Sequence, residues 1–266
     1  MNIGYIGSSI AMINALKCWK NHNVCIWFCD STKKSYELDS VSETLGIPLF
    51  YIDKEEQIIE QLVNLKSKLD YFVVYKTGII IHRSLLEEYA FFNFHPGSLF
   101  TNRGAYPLVW TVLLGEEKAT MSLHKISEDI DAGPLIWEKD ILVHEGDTPQ
   151  YLEERLEQEI ADMLDKIDLY REGKCEAKII ENGIYRRRVE KKDYTIDFEQ
   201  DSLEVMRQKI NSQRGYCGAV LVYNERELRC FSVEIMEKLP ENSSAEKDSV
   251  FLEKNGHWYC FSIAMP

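Results

Sequence analysis

The sequence predicts an α/β protein: a mostly parallel sheet followed by a small β-rich module. Three observations carry this. Up to about residue 145, short apolar runs alternate with stretches whose apolar residues recur at helical spacing. Turn and cap residues stand at the joins. From about residue 181 the pattern changes to alternating, strand-like stretches separated by Asn and Gly. Strands that alternate with helices are joined by right-handed crossovers, which lay helices on both faces of a parallel sheet.

Asn2–Ile6 is the first predicted strand, and Gly7-Ser8-Ser9 is a turn ending in natural helix caps. Ile10–Lys20 carries Ile10, Ile13 and Leu16 at helical spacing. Val24–Cys29 is a second strand, and Tyr36–Leu45 a helix stopped by Gly46 and Pro48. Pro48–Ile52 follows as a strand. Glu55–Leu69 sets Ile58, Ile59, Leu62 and Leu65 on one helical face. Tyr71–Tyr75 and Phe91–Phe94 are aromatic and branched runs of strand length. Then come a helix near Leu108–Leu114, strands at Ala119–Ile126 and Leu135–Val143, and one long helix from Thr148 to Arg171. Its stripe is Leu152, Leu156, Ile160, Leu164 and Ile167. A Rossmann-like α/β domain over residues 1–180 is therefore expected, with a β-rich module over 181–266. In the module, a helix at Leu203–Ile210 precedes strands at Ala219–Tyr223, Glu227–Ile235, Ser249–Glu253 and His257–Ile263. Glu241–Asp248 reads as loosely structured.

The chain has 266 residues, 45% of them hydrophobic and 28% charged, which excludes a disordered or fibrous protein. Its net charge of −13 gives no global attraction for polyanions. The basic run Arg186-Arg187-Arg188 with Lys191 and Lys192 reads as a solvated linker face. No apolar run reaches the roughly 18–20 residues of a membrane helix. The N-terminus shows neither a basic stretch nor a cleavage site, so a cytoplasmic location is expected. Seven cysteines without a Cys-x-x-Cys pattern read as free thiols in a reducing compartment. The six histidines show no metal-ligand spacing, and no metal is expected.

Gly4-x-x-Gly7-Ser8-Ser9, with Asp30 ending the second strand, superficially suggests a dinucleotide site. It lacks the Gly-x-Gly-x-x-Gly spacing and reads as an ordinary tight turn. The informative segment is Asn93 to Pro107. Asn93 and His95 are two apart at a strand end, so their side chains leave one face, at the carboxyl end where open α/β sheets bind ligands. A long loop with Gly97 and Gly104 follows and closes at Pro107, a good first helical position. A second polar loop, Ser127 to Pro134, supplies Asp131. A carboxylate beside an imidazole orients it and stabilises its charged form, and an amide beside both can donate to a developing oxyanion.

In this arrangement the chain resembles the folate-dependent formyltransferase family. The resemblance rests on Asn93-Phe94-His95, Arg103-Gly104 and Asp131-Ala132-Gly133 in that order, with Gly78-Ile79-Ile80 similar to the segment lining the folate pocket. It covers residues 1 to about 145, and the C-terminal module resembles the barrel-like domain that several members append. The resemblance implies the formyltransferase fold and an enzyme that moves a formyl group from N10-formyltetrahydrofolate to a primary amine. Asn93, His95 and Asp131 are the implied catalytic residues: His95 for proton transfer and oxyanion contact, Asp131 to tune it and accept the amine's proton, Asn93 to donate to the oxyanion. Thr77, Gly78, Ile79, Ser127 and Asp129 are the implied folate-binding positions. One departure is that Gly97 stands for the family's usual serine and Phe100 for its proline.

Two acceptors are familiar in two-domain members: the methionyl group on initiator tRNA and amino sugars linked to nucleotides. The tRNA enzymes resemble one another in a long basic loop after the second strand. Here the segment Asp30 to Glu37 is short and carries two lysines, Lys33 and Lys34. Pro107-Leu108-Val109-Trp110 and Ser122-Leu123-His124-Lys125 are closer to the sugar-modifying members. The expected partner is thus a nucleotide-linked amino sugar, with initiator tRNA as the alternative. A non-catalytic nucleotide- or folate-binding module should have lost one of Asn93, His95 and Asp131. Whether the C-terminal module binds substrate or pairs two copies into a homodimer stays open.

Overall fold

The computed structural model describes residues 1–65, 68–239 and 248–264. In chain order the elements are β1 (Asn2–Gly7), α1 (Ile10–Cys18), β2 (Asn23–Asp30), α2 (Tyr36–Leu45), β3 (Leu49–Ile52), α3 (Glu56–Val63), β4 (Tyr71–Tyr75), α4 (Arg83–Glu88) and β5 (Phe91–His95). They continue through β6 (Arg103–Gly104), α5 (Pro107–Leu113), β7 (Lys118–Lys125), β8 (Leu135–Leu142), α6 (Pro149–Glu157), α7 (Ile160–Arg171) and β9 (Tyr185–Arg186). The last are β10 (Thr195–Ile196), α8 (Leu203–Gln213), β11 (Ala219–Tyr223), β12 (Arg226–Met236), β13 (Ser249–Lys254) and β14 (His257–Ala264). The chain separates into two compact units: Met1–Gly104 with Thr120–Ile141 and Glu154–Tyr185, and Ala105–Ala119 with Leu142–Glu153 and Arg186–Pro266. Residues 105–119 and 142–153 therefore group with the C-terminal stretch, a division that no single boundary reproduces.

The first unit is built on a seven-stranded sheet in the order β3-β2-β1-β4-β5-β7-β8. β1 pairs in parallel with β2 and β4, β2 with β3, and β4 with β5, whereas β7 runs antiparallel to β5. The order reverses between β1 and β4, and there the crossovers leave a crevice at the strands' carboxyl ends. All five residues of β4 are buried. One face of the sheet closes over Ile6, Phe28, Ile58, Phe72, Val74 and Phe91. On the other, Tyr71 meets Trp19 and Phe92 edge-on, and Phe92 meets Tyr170, so aromatic side chains bind α1 and α7 to the strands.

The caps read from the sequence are used. Ser9 Oγ accepts from Met12 N at 3.1 Å at the start of α1, a cap that contributes about 1 kcal/mol. Gly46 ends α2 with φ 65, and Ser35, a cap not read from the sequence, accepts from Leu38 N at its start. Two expectations fail, and one helix was not expected. The helix expected over Glu55–Leu69 stops at Val63, because Asn64 turns its side chain back onto the Glu60 carbonyl and the last turn tightens. The long helix over Thr148–Arg171 is two helices. Glu159 N bonds the Leu156 carbonyl at 3.0 Å, and the buried stripe from Leu152 to Ile167 survives the interruption. α4 was not expected: one buried residue, Leu85, leaves too little periodicity to read.

The second unit holds a five-stranded sheet ordered β10-β11-β12-β14-β13. Apart from the parallel β10–β11 pair, its ladders are antiparallel. Two-residue turns join the hairpins, Asn224-Glu225 and Asn255-Gly256, all with positive φ as tight hairpins require. α8 closes the sheet, with Met206 and Ile210 against Ala219, Leu221, Cys230 and Phe261, and α5 packs on α8. Three residues of the basic run have acidic partners. Arg187 makes a bidentate pair with Asp193 at 2.7 Å, Lys191 meets Glu227 and Lys192 meets Glu190. The stretch expected to be loose, Glu241–Asp248, lies outside the described residues except for Asp248. All seven cysteines are thiols rather than disulfides, and among the described residues no helix is long and apolar enough to cross a membrane.

Candidate active site

β5 delivers Asn93 and His95 to its carboxyl end, and β4 ends beside it, Tyr75 pairing with Phe94. The chain then turns through residues 96–102 in a loop that Ser98 closes. Its carbonyl accepts from Asn102 N at 2.8 Å, and its hydroxyl accepts from Phe100 N at 3.3 Å. Gly97 contributes its carbonyl to the Ser122 hydroxyl at 2.7 Å, and Phe100 lies under Lys178 at 5.0 Å. Arg103 fixes the far side. Its guanidinium is buried and donates to the carbonyls of Leu99 and Ile180. Gly183 makes room for it, since a Cβ there would fall 2.1 Å from Nε.

This loop sets the Asn102 carbonyl 2.7 Å from His95 Nε2. A carbonyl only accepts, so Nε2 carries the proton and Nδ1 is the basic nitrogen of the neutral ring. Nδ1 lies 3.5 Å from Asp131 Oδ2. Asp131 stands at φ 50, in the left-handed region that a short polar side chain tolerates. Gly133 two residues on allows the loop to press onto β7, for a Cβ there would lie 1.8 Å from the Lys125 carbonyl oxygen. Asp131 Oδ2 accepts from Gly104 N at 2.9 Å, and Oδ1 lies 3.5 Å from Asn93 Nδ2. The structure thus brings Asn93, His95 and Asp131 together.

Burial pushes the His95 imidazole below the usual histidine range, against the opposing pull of the Asp131 carboxylate and the Asn102 carbonyl. Burial would raise the Asp131 carboxyl, yet its neighbours, the His95 ring first and the Gly104 N–H among them, hold it down at about 2. The resting site is a neutral imidazole facing a carboxylate anion, an arrangement ready to take up one proton and stabilise it.

The five other candidate positions lie on two loops beside this centre. Thr77, Gly78 and Ile79 follow β4, where Thr77 Oγ1 accepts from Ile79 N at 3.1 Å and Gly78 abuts the Asp30 carboxylate. Ser127 and Asp129 follow β7, the Ser127 hydroxyl donating to the Asp129 carbonyl at 3.2 Å. Arg83, the first residue of α4, lies 3.6 Å from Glu128 of the second loop. Each loop leaves one isoleucine about half exposed, Ile80 at 52% and Ile130 at 48%. Such an apolar rim beside buried polar groups suits a flat, partly polar ring. Sequence reasoning missed His124. It is buried, with Nε2 3.0 Å from Asn93 Nδ2 and 3.4 Å from Asp131 Oδ1. Its signal was a polar residue inside the apolar run of β7. Among the described residues, no three His, Cys, Asp or Glu side chains gather where a metal ion would be held.

The family model described as "Formyl transferase" matches residues 31–166. A methionyl-tRNA formyltransferase of Prochlorococcus marinus is 26% identical over 229 residues, covering 79% of this chain and 66% of that protein. One from Thermotoga maritima is 27% identical over 207 residues, covering 75% and 64%. The chain therefore spans under two thirds of the length of these curated relatives. Among solved structures, WlaRD, a sugar 3N-formyl transferase determined with dTDP and 5-N-formyl-THF, superposes with a TM-score of 0.68 at 14% identity, covering 99% of this chain and 97% of its own. A sugar N-formyltransferase from Shewanella sp. gives 0.69 at 17%, covering 86% and 96%. HypX from Aquifex aeolicus in complex with tetrahydrofolic acid gives 0.67 at 15%, covering 97% and 43%. At these identities the structural likeness concerns the fold.

Proposed function

The chain belongs to the formyl transferase family, and from that premise we propose that it transfers a formyl group from N10-formyltetrahydrofolate to the primary amine of a nucleotide-linked amino sugar. The observation that carries the formyl-transfer reading is the meeting of a buried His95 with the partly buried Asn93 and Asp131 at the carboxyl end of β5. The two loops fit a folate. They offer apolar rims at Ile80 and Ile130 and backbone groups at Thr77, Gly78, Ile79, Ser127 and Asp129 beside the ionised Asp131. Bound there, the folate supplies an electrophilic formyl carbon and a nitrogen leaving group.

The protein's part is proton handling and charge stabilisation. An incoming amine must shed a proton as it attacks, and His95 Nδ1 is the unprotonated nitrogen that receives it. The resulting imidazolium is stabilised by Asp131 Oδ2, 3.5 Å away, and by the Asn102 carbonyl on its other nitrogen. His95 can then return the proton to the departing nitrogen. Asn93 presents an amide N–H toward the oxygen on which negative charge develops.

The charge distribution supports the sugar acceptor. The chain carries −13, its Asp30–Glu37 segment holds two lysines, and Arg187, Lys192 and Lys191 of its basic run are paired with Asp193, Glu190 and Glu227. Such a surface gains little from releasing counterions off a tRNA. The second reading, initiator tRNA, is favoured by the curated relatives named methionyl-tRNA formyltransferases. The deciding experiment offers nucleotide-linked 3- and 4-amino sugars and charged initiator tRNA in parallel, with formyl-tetrahydrofolate, and follows formyl incorporation. Transfer to a sugar nucleotide is expected, whereas transfer to the tRNA alone would reverse the assignment.

A further inference from the structure

Asn93 and His124 stand opposite each other in the antiparallel ladder of β5 and β7. His124 is 1% exposed, and each of its ring nitrogens faces a defined partner. Nδ1 lies 3.1 Å from the Lys125 carbonyl oxygen. Nε2 lies 3.0 Å from Asn93 Nδ2 and 3.4 Å from Asp131 Oδ1, and Asn93 Nδ2 is itself 3.5 Å from Asp131 Oδ1.

An inventory of protons resolves this cluster. The Asp131 carboxylate only accepts, so Asn93 must turn its NH2 toward it, since the rotated amide would set one acceptor against another. The same NH2 then faces His124 Nε2, which must be a bare lone pair. A neutral ring with a bare Nε2 carries its hydrogen on Nδ1, where the Lys125 carbonyl stands to receive it. The 3.0 Å contact with Asn93 decides this over the longer 3.4 Å approach of Asp131 Oδ1, because a protonated Nε2 would face the Asn93 NH2 donor to donor at the shorter distance.

We propose that His124 is a positioning residue of the active site, a neutral Nδ1–H imidazole whose Nε2 holds one N–H of Asn93 and fixes the plane of its amide. The second N–H, only weakly engaged by Asp131 at 3.5 Å, is thereby kept aimed at the reacting group instead of rotating away. The consequence for rate rests on the formyl-transfer reading; the proton arrangement rests on geometry alone.

Two measurements on the full chain test this. Long-range 1H–15N correlation of the protein with labelled histidine should show, for His124, a protonated Nδ1 and an unprotonated Nε2 at neutral pH. Assignment uses a His124→Gln sample. A doubly protonated ring, or the proton on Nε2, would overturn the proposal, and this holds even if no amine is ever formylated. In the second measurement, His124→Leu removes the acceptor, while His124→Gln offers a side-chain oxygen in its place. The Leu variant should lose about ten- to a hundredfold in kcat, the effect of one misplaced hydrogen bond, with KM for formyl-tetrahydrofolate within about threefold. The Gln variant should recover most of the loss. Equal losses in both, or undiminished kcat in a Leu variant shown by circular dichroism to be folded, would remove His124 from the positioning of Asn93.

Discussion

Asp131 Oδ2 lies 3.5 Å from His95 Nδ1, the ring nitrogen left basic because the Asn102 carbonyl engages Nε2 at 2.7 Å. Position and proton inventory therefore agree: the nitrogen able to accept a proton is the one with a carboxylate waiting beside it. The arrangement is made by two loops and a strand end, and it fixes the direction of proton flow before any substrate arrives.

The pH dependence follows from that pairing. Burial lowers the His95 pKa from 6.5, so the ring is neutral and basic at and above that pH. Activity should be lost as pH falls, with the acid limb of kcat/KM centred below 6.5. The sign for stability is the same. The unfolded chain takes up its proton first, so the contribution of His95 is whole above its unfolded pKa and is lost as pH falls through the folded one. An acid limb at or above 6.5 would place proton acceptance on another group.

Replacing His95 with Asn removes the acceptor and keeps a polar side chain at the strand end. Turnover should fall by roughly two to four orders of magnitude. Binding of formyl-tetrahydrofolate, followed by fluorescence, should change little, because the proposed binding loops after β4 and β7 do not depend on the ring. Near-normal turnover would exclude His95 from the chemistry.

Much of this site was legible in the sequence because it sits at a strand end. Asn93 and His95, two apart before a Gly-containing loop, announce a polar pair leaving one face, and Asp131 stands in the polar loop between two apolar strands. What was illegible depends on non-local pairing. His124 enters the site only through the β5–β7 register that sets it opposite Asn93, which no spacing within β7 reveals. The Asn102 carbonyl and Gly104 N–H are backbone groups, and they carry no side-chain signature at all. The same holds for the fold. Caps at Ser9 and Gly46 are local and were readable, whereas the break between α6 and α7 falls at Gln158-Glu159, where no Gly or Pro marks it.

Gly133 couples the fold to the chemistry. Gly133→Ala would drive a Cβ to 1.8 Å from the Lys125 carbonyl oxygen, backbone that can give way only by moving β7 or the loop. A cost of about 1–3 kcal/mol in stability is expected, as for overpacking generally. Because Asp131 is two residues away, formyl transfer per folded molecule should fall as well. Thermal unfolding with activity normalised to folded protein would check both, and unchanged activity would show that Asp131 is positioned independently of this turn.

Truncation tests the expected boundary at residue 180. A chain cut there keeps all seven strands of the larger sheet but loses Ile184, which bonds both Phe100 and Arg103 through its backbone. It also loses α8, the helix on which α5 packs. We expect a chain that keeps strand and helix signals by circular dichroism yet binds a hydrophobic dye. A cut after 185 should be the more resistant to proteolysis within residues 96–104. Identical cleavage in both would mean that Ile184 does not hold the loop.

Asp131→Asn separates charge from shape. The amide is nearly isosteric, and its oxygen can still accept from Gly104 N, so the loop should keep its form. What disappears is the anion, held ionised to about pH 2 in the folded chain. That depressed pKa contributes stability that is whole above the unfolded value of 3.8 and is lost as pH falls through about 2. The variant should therefore melt within about 1–2 kcal/mol of the parent at neutral pH, and the two should converge in acid. Rate behaves differently. Without the carboxylate, a proton on His95 Nδ1 has no counter-charge, and the acceptor strength of the ring drops just when the amine must give up its proton. Single-turnover formyl transfer should slow by at least about a hundredfold while folate binding persists. Paired melting and single-turnover runs on one preparation decide the matter: a variant that loses stability but keeps its rate per folded molecule would make Asp131 part of the scaffold and leave Asn93 and His95 to do the chemistry.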